Sequence, residues 1–275
     1  MRIAVLLTVH NRREKTLRAL DLLYSCTLPE GMRLTCFLTD DGSTDGTAEA
    51  VSAAFPEVRI VPGDGNLFWC RGMLEAWKAA RAEDPAWDAY LWLNDDTYLF
   101  PDALLQLVAC RDRHPGAIVV GPACSAETGE FTYGGRGELF LHCPPEGVER
   151  KLVTFDGNVV WVPSAVVERY GLLDRRFSHG MGDSEYGLRV TRHGGEAWQT
   201  AGFVGTCESH ERPADWSNPD VPLCKRWKAL HSPFGCRPRE YFLVDRHNGF
   251  FTAVRHYFLI YIRVLFPSWW KNSPY

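Results

Sequence analysis

The stretch Leu91-Trp92-Leu93-Asn94-Asp95-Asp96-Thr97-Tyr98 runs from three large apolar side chains straight into two adjacent carboxylates. A short apolar run bounded by polar residues reads as a buried strand. Two ionised Asp side chains in sequence repel, and a neighbouring low-dielectric sheet raises the cost. A positive partner is therefore expected beside Asp95 and Asp96, a metal ion being the first candidate. Toward the N-terminus, Ile3 to Thr8 is β-rich and apolar, as a central parallel strand covered on both faces requires. Leu17, Leu20 and Tyr24 then recur at helical spacing between Glu14 and Cys26.

The same alternation continues on both sides of the opening stretch. Residues 33–41, RLTCFLTDD, read as a strand stopping at Asp40-Asp41; GSTDGT supplies turn and cap residues before an Ala-rich helix from Ala48 to Ala54. A short strand at Arg59-Ile60-Val61, a Gly-rich turn and a helix with Met73, Trp77 and Ala80 on one face lead into the quoted strand. Beyond it, Pro101 suits the first turn of a helix whose Leu104, Leu105 and Val108 face inward, and Ala117 to Gly121 gives another strand. Strand alternating with helix predicts a mostly parallel α/β sheet. Ligands of such sheets collect beyond the carboxyl ends of the strands. Those ends carry His10-Asn11-Arg12, Asp40-Asp41 and Asn94-Asp95-Asp96, which predicts one cleft lined with carboxylates.

Residues 124–150, rich in Gly and Pro, give no assignable element. LVTFDGNVVWV (152–162) reads as a strand pair, and Pro163 opens a short helix ending near Gly171. The segment that follows has a Gly-containing loop, Asp183 at a helix N-cap, Leu188 and Val190 inside the helix and Gly194 as its stop. A last strand, EAWQTAGFVG, leads to Cys207-Glu208-Ser209-His210.

The chain has 275 residues, 45% hydrophobic, enough for one large domain with or without an appended segment. A net charge of −4 supplies no basic field for wrapping nucleic acid, so an anionic ligand must be met locally. Nine cysteines, an odd number without a Cys-x-x-Cys pair, read as reduced thiols of a cytosolic protein, with no zinc site expected. The apolar N-terminus is short and lacks a small-residue cleavage site, so it reads as a strand and not a signal peptide.

TVHNR at residues 8–12, DDGSTDGT at 40–47, GNLFWCRGM at 65–73, NDD at 94–96 and GDSEYGLR at 182–189 followed by ESH at 208–210, in that order, resemble the family 2 glycosyltransferases of the GT-A fold. The resemblance covers roughly Arg2 to His210. It implies a mostly parallel sheet flanked by helices, with a Rossmann-like nucleotide-sugar half over 1–121, an acceptor half over 122–210 and a C-terminal extension over 211–275. It implies an inverting transfer of a sugar from a nucleotide diphosphate, UDP or dTDP, to an acceptor hydroxyl, with Mn²⁺ or Mg²⁺. The setting it implies is a bacterial surface-polysaccharide pathway.

By the same resemblance Asn94 takes the first position of an Asp-x-Asp motif, Asp96 is the direct metal ligand and Asp95 meets the ribose or the metal shell. Asp40 and Asp41, Asp41 first, meet the base; Thr8, His10, Asn11 and Arg12 form the other wall. Asn66 permits a close turn, Arg71 faces the diphosphate, and Phe68 and Trp69 shape the pocket. Asp183 is the general base, with Gly182 and Glu185 standing where the family often has acids, and Glu185 either contacts the acceptor or fixes the loop. His210 completes the metal shell, with Glu208 as the alternative. Each has a plain structural alternative: Asp in turns and N-caps, Arg71 on a helix surface, Glu185 in a first turn favoured by the dipole, His210 at the surface.

The end of the chain, 250–275, mixes Phe, Tyr and Trp with Arg255, His256 and Arg263. Its longest unbroken apolar run is far below the ~18 residues of a membrane span. Two readings stay open: an interfacial helix at the inner face of the membrane, where a lipid-linked glycan acceptor would reside, or a helix packed on the core or on a second subunit of a homo-oligomer. Two rival functions are a sugar-phosphate nucleotidyltransferase, which needs a basic Gly-rich loop that TVHNRREKT lacks, and a non-catalytic nucleotide- or glycan-binding module.

Overall fold

The computed structural model describes residues 1–209 and 215–270. The first half alternates as expected: β1 (Arg2–Val9), α1 (Arg13–Tyr24), β2 (Arg33–Asp40), α2 (Thr47–Ala54), β3 (Arg59–Pro62), α3 (Phe68–Glu83), β4 (Ala89–Leu93), β5 (Tyr98–Leu99), α4 (Ala103–Arg113) and β6 (Ile118–Val120). The second half has shorter pieces: β7 (Ala123–Cys124), β8 (Phe131–Tyr133), β9 (Gly135–Arg136), β10 (Arg150–Lys151), β11 (Thr154–Phe155), β12 (Val159–Pro163), α5 (Ser164–Tyr170), α6 (Gly182–Arg192), β13 (Ala197–Gln199) and β14 (Gly205–Thr206). Three helices follow: α7 (Leu223–His231), α8 (Pro238–Asp245) and α9 (Phe250–Leu265).

Eight strands form the main sheet in the order β10-β13-β6-β12-β4-β1-β2-β3. β3, β2, β1 and β4 are parallel, and β12 runs antiparallel between β4 and β6. Because successive side chains of a strand face opposite ways, β1 feeds two cores. Ala4 and Leu6 join Trp77 of α3 and Tyr186 of α6 on one face, where Trp92 packs 5.4 Å from Trp77 and 5.3 Å from Tyr186 between ring centroids. Ile3, Val5 and Leu7 join Leu20 and Leu23 of α1 and Leu104 and Leu107 of α4 on the other. Helix α3 lies so close to β1 that a Cβ on Gly72 would fall 2.1 Å from Thr8 Oγ1.

Four expectations are corrected. Leu105 is exposed, and Leu107 is the residue that joins Leu104 in the core. Residues 152–162 hold two strands that do not pair with each other: β11 pairs with β9, while β12 lies inside the main sheet. The final strand is broken, β13 joining the main sheet and β14 a four-stranded sheet in the order β5-β14-β7-β8. Helix α6 starts at Gly182 after Met181 in the left-handed region, φ 64°, so Asp183 sits in its first turn and is not the N-cap.

The unassigned region 124–150 supplies β8, β9 and β10. Helices α7 to α9 close a small satellite core of Leu230, Cys236, Ile260 and Val264. Among the described residues no helix is long and apolar enough to cross a membrane.

Candidate active site

The carboxyl ends of β1, β2 and β4 meet as the sequence pattern requires, and hydrogen bonds weld their loops together. His10 donates from Nδ1 to the Asp41 carbonyl at 2.7 Å, and Asn11, at φ 52°, accepts from the Thr44 amide at 2.7 Å through its side chain. Asp40 accepts from the Ser43 amide at 2.9 Å. Asp41 accepts from the amides of Gly65 at 2.8 Å and of Leu67 and Phe68 at 2.9 Å each. The residue expected first at the base thus braces the Gly65–Phe68 loop through three backbone bonds. That bracing fixes Phe68 in the left-handed region, φ 56°, where a non-glycine residue is held only by its surroundings.

The positive partner expected beside Asp95 and Asp96 is present within the chain. Arg12 Nη1 donates to Asp96 at 2.7 Å and to Asp95 at 3.1 Å. Burial works against the Arg12 charge, yet the two carboxylates outweigh it and raise its pKa. Burial pushes Asp95 up to about 7 despite Arg12, and the charge of Asp96 adds to the shift. Asp95 Oδ2 is buried with no hydrogen-bond partner among the described residues. Two buried carboxylates, one with an orphaned oxygen, form a hard oxygen donor set that suits Mg²⁺ or Mn²⁺. Cys207 donates a weak bond to Asp96 at 3.8 Å from the end of β14. His210 lies outside the described residues; Glu208 accepts from Ser125 at 2.7 Å and from the Ala126 amide at 2.7 Å.

A cavity of about 300 Å³ opens at this edge, walled by Thr8, His10, Arg12, Asp41 and Asp95 and by Phe68 and Trp69. Two wall residues that the sequence did not single out are His179 and Phe234, whose rings lie 4.7 Å apart between centroids. Burial, with the nearby Arg12 charge, lowers the His179 pKa. Phe234 also meets Phe68 edge-on at 5.6 Å, bringing the α7–α8 loop over the cavity. Asn66 is exposed and bonded to Asp64, and Arg71 Nε donates to the Arg175 carbonyl at 3.1 Å; neither is among the wall residues.

Asn94, the departure from Asp-x-Asp, accepts the Trp69 indole N–H at 2.7 Å. Trp69 in turn abuts Gly157, where a Cβ would fall 2.5 Å from its ring and 3.3 Å from the Cβ of Asp183. The packing is thus continuous from Asp95 through Asn94, Trp69 and Gly157 to Asp183. Asp183 accepts from the amides of Gly157 at 2.9 Å and Ser184 at 2.7 Å. Burial, then the charge of Asp156, pushes its pKa up to about 6, against those two amides and Arg136. Asp156 is itself held by Arg136 at 3.0 Å.

Glu185 points elsewhere. Arg189 clamps its two oxygens at 3.1 and 2.9 Å, and His247 stands 3.3 Å away. Burial opposes its charge, but His247 and Arg189 prevail and its pKa is lowered. Of the two roles left open, its contacts are those of a loop brace. The nine cysteines are free and eight are buried. Cys110, His114 and Glu149 converge within 4.8 Å, but Arg113 already pairs with Glu149.

The signature of Glycosyl transferase family 2 matches residues 4–170. The chain belongs to that family and is a glycosyltransferase of GT-A-like α/β fold. It is 24% identical over 262 residues to an N-acetylglucosaminyl-diphospho-decaprenol L-rhamnosyltransferase of Mycobacterium tuberculosis, covering 84% of this chain and 81% of that one. Among solved structures it resembles Staphylococcus aureus TarS 1-349 in complex with UDP, with TM-score 0.60, 10% identity and 97% and 89% of the two chains covered. It also resembles the mannosyltransferase PcManGT from Pyrobaculum calidifontis in complex with GDP-Man and Mn²⁺, with TM-score 0.55, 15% identity and 99% and 87% covered. The chain spans 53% of the length of a longer TarS structure.

Proposed function

We propose that the chain is an inverting, metal-dependent transferase that moves a sugar from a UDP- or dTDP-sugar to a hydroxyl of a lipid-linked surface glycan. The observation that carries this reading is the buried Asp95–Asp96 pair, with its orphaned oxygen, on the wall of a cavity linked to Asp183 by direct packing. Asp96 and Asp95 would hold the divalent ion, which supplies charge neutralisation of the departing nucleoside diphosphate.

The protein's own groups do the rest. Asp183, held by two backbone amides, takes the proton of the acceptor hydroxyl as that oxygen bonds to the anomeric carbon and the bond to the diphosphate breaks on the opposite face. A carboxyl with pKa about 6 is ionised at neutral pH yet basic enough to accept that proton. The aromatic wall of Phe68, Trp69, His179 and Phe234 offers faces to the base and sugar and excludes water. Support for a nucleotide diphosphate comes from the UDP and GDP-Man complexes of structures with this fold, and support for a lipid-linked acceptor from the name of the mycobacterial relative.

Helix α9 leaves Phe251 86% and Phe258 61% exposed, and Trp269 beyond it 70%, with Arg255 exposed on the same helix. This composition suits an interfacial helix at the inner face of a membrane. Deletion of residues 250–275 is expected to abolish membrane association without loss of nucleotide binding, assayed by vesicle flotation.

The reading is tested by incubating the full chain with UDP-, dTDP- and GDP-sugars and Mn²⁺ or Mg²⁺. Release of one nucleoside diphosphate, dependent on metal, supports it. Pyrophosphate release from a nucleoside triphosphate and a sugar phosphate would instead favour a nucleotidyltransferase, and no turnover with any donor a binding module.

A further inference from the structure

A second and larger cavity, about 940 Å³, lies between helices α7, α8 and α9 and the loop before α6. Its wall is divided in character. Arg176, Arg237 and Arg239 provide three guanidinium groups, while Phe242, Tyr257 and Tyr261 provide an aromatic lining, with Tyr257 5.2 Å from Tyr261 and 6.0 Å from Phe242 between centroids. Arg176 pairs with Asp174, and Arg237 with Glu240 at 2.9 Å, so both are fixed in place. Arg239 is exposed and has no acidic partner among the described residues. The charge of the chain is divided in the same way: residues 223–275 carry nine Lys/Arg and two Asp/Glu, the preceding 222 residues 21 and 32.

A short chain of hydrogen bonds and neighbouring residues joins this cavity to the donor cavity. Arg237 bonds Ser178 Oγ, Ser178 donates to Glu240 at 3.1 Å, and the next residue, His179, lines the donor cavity with Phe234. A guanidinium fork matches phosphate oxygens, and an aromatic trough beside it matches an unsaturated hydrocarbon. We infer that this cavity seats the diphosphate and the first isoprenoid units of a lipid-linked acceptor, so that the attached glycan reaches past Ser178 and His179 toward Asp183. Tyr257 meets Phe258 at 5.8 Å and Phe242 meets Phe250 at 6.2 Å between centroids, so the aromatic lining runs on to exposed rings of α9, where a lipid tail would leave the protein. The acceptor role rests on the glycosyltransferase reading above; the isoprenoid diphosphate site stands on the geometry of the cavity.

The test is calorimetric titration of the full chain with farnesyl diphosphate below its micelle concentration, in the presence of Mn²⁺ and saturating UDP or dTDP. Inorganic pyrophosphate and farnesol serve as controls. Farnesyl diphosphate is expected to bind at least about tenfold more tightly than either control, because both halves of the wall contribute. Arg239→Glu is expected to weaken it by about tenfold or more and to leave nucleotide binding and Tm unchanged. Tyr257→Ala is expected to weaken farnesyl diphosphate but not pyrophosphate. Pyrophosphate binding as tight as the lipid, displacement by the nucleotide, or undiminished binding in both variants overturns the inference. A chain that turns over a nucleotide-sugar but ignores farnesyl diphosphate sinks this inference alone. One that binds farnesyl diphosphate but no nucleotide retains the lipid site and loses the transferase reading.

Discussion

Arg12 Nη1 lies 2.7 Å from Asp96 Oδ2 and 3.1 Å from Asp95 Oδ1, so one guanidinium bonds both carboxylates at the end of β4. The buried Asp pair does not need a metal to exist in the folded chain, because the loop after β1 brings its own cation. A divalent ion and a diphosphate entering this site must share the carboxylates with Arg12 or displace it.

Arg12→Ala should therefore lower the stability of the metal-free protein by about 1–3 kcal/mol, the usual cost of losing hydrogen bonds to charged groups. The same variant should gain more in Tm from Mn²⁺ than the wild type does, since the ion replaces the missing charge. Thermal unfolding with EDTA and with Mn²⁺ measures both effects. Equal metal shifts in the two proteins would show that Arg12 and the ion do not compete.

Asp183→Asn should reduce kcat by about 10²–10⁴ while leaving nucleotide affinity unchanged. Its pKa is raised to about 6, and the proposed base works in its ionised form. The sign follows: with metal saturating, so that Asp95 stays ionised, kcat/KM should level off above about pH 6 and fall about tenfold per unit below it. A pH profile of donor turnover reads this directly, and an unchanged acid limb in Asp183→Asn would assign the base to another group.

Glu185→Ala should act on stability before chemistry. It leaves the half-buried Arg189 on the Tyr170 and Leu172 carbonyls without its carboxylate partner, at a cost of about 1–3 kcal/mol. The folded fraction, counted by nucleotide binding, should keep kcat within about threefold of wild type. A folded variant with kcat down by orders of magnitude would place Glu185 in the reaction.

Gly72→Ala sets two terms against each other. A helical Ala is favoured over Gly by about 1 kcal/mol, whereas forcing a Cβ to 2.1 Å from Thr8 Oγ1 costs about 1–3 kcal/mol. Sterics should win in urea unfolding, with partial recovery in the double variant with Thr8→Ala, where the Oγ1 contact is gone but the Thr8 Cβ contact at 2.9 Å stays.

The parts of the fold legible in the sequence are those encoded locally. β1 and β4 carry continuous apolar runs and β2 a β-rich one, α3 shows its buried face through Met73, Trp77 and Ala80, and the polar strand ends mark the edge where the candidate site lies. What was not legible depends on long-range pairing. Strands of two or three residues such as β11 and β14 have too little sequence to show a period, and their partners are set by the sheets they join. The cap of α6 was misplaced because a left-handed Met181 is imposed by the loop and not by residue preference.

In the site, residue types were legible and partners were not. Arg12 meets Asp96 across 84 positions, and Asn94 meets Trp69 across 25. Asp41 belongs to a turn-forming sequence, and the structure puts its carboxylate to that structural use. Phe234 lies in a segment with no motif, and only folding places it over the cavity.

The most direct measurement is calorimetry of UDP, dTDP, GDP and CMP binding to the full chain, each with and without Mn²⁺ or Mg²⁺, repeated on Asp96→Ala. The account predicts that UDP or dTDP binds only with metal and that Asp96→Ala abolishes the metal dependence. Nucleotide binding that is indifferent to metal, or that survives intact in Asp96→Ala, would contradict it and leave Asp95 and Asp96 as structural partners of Arg12.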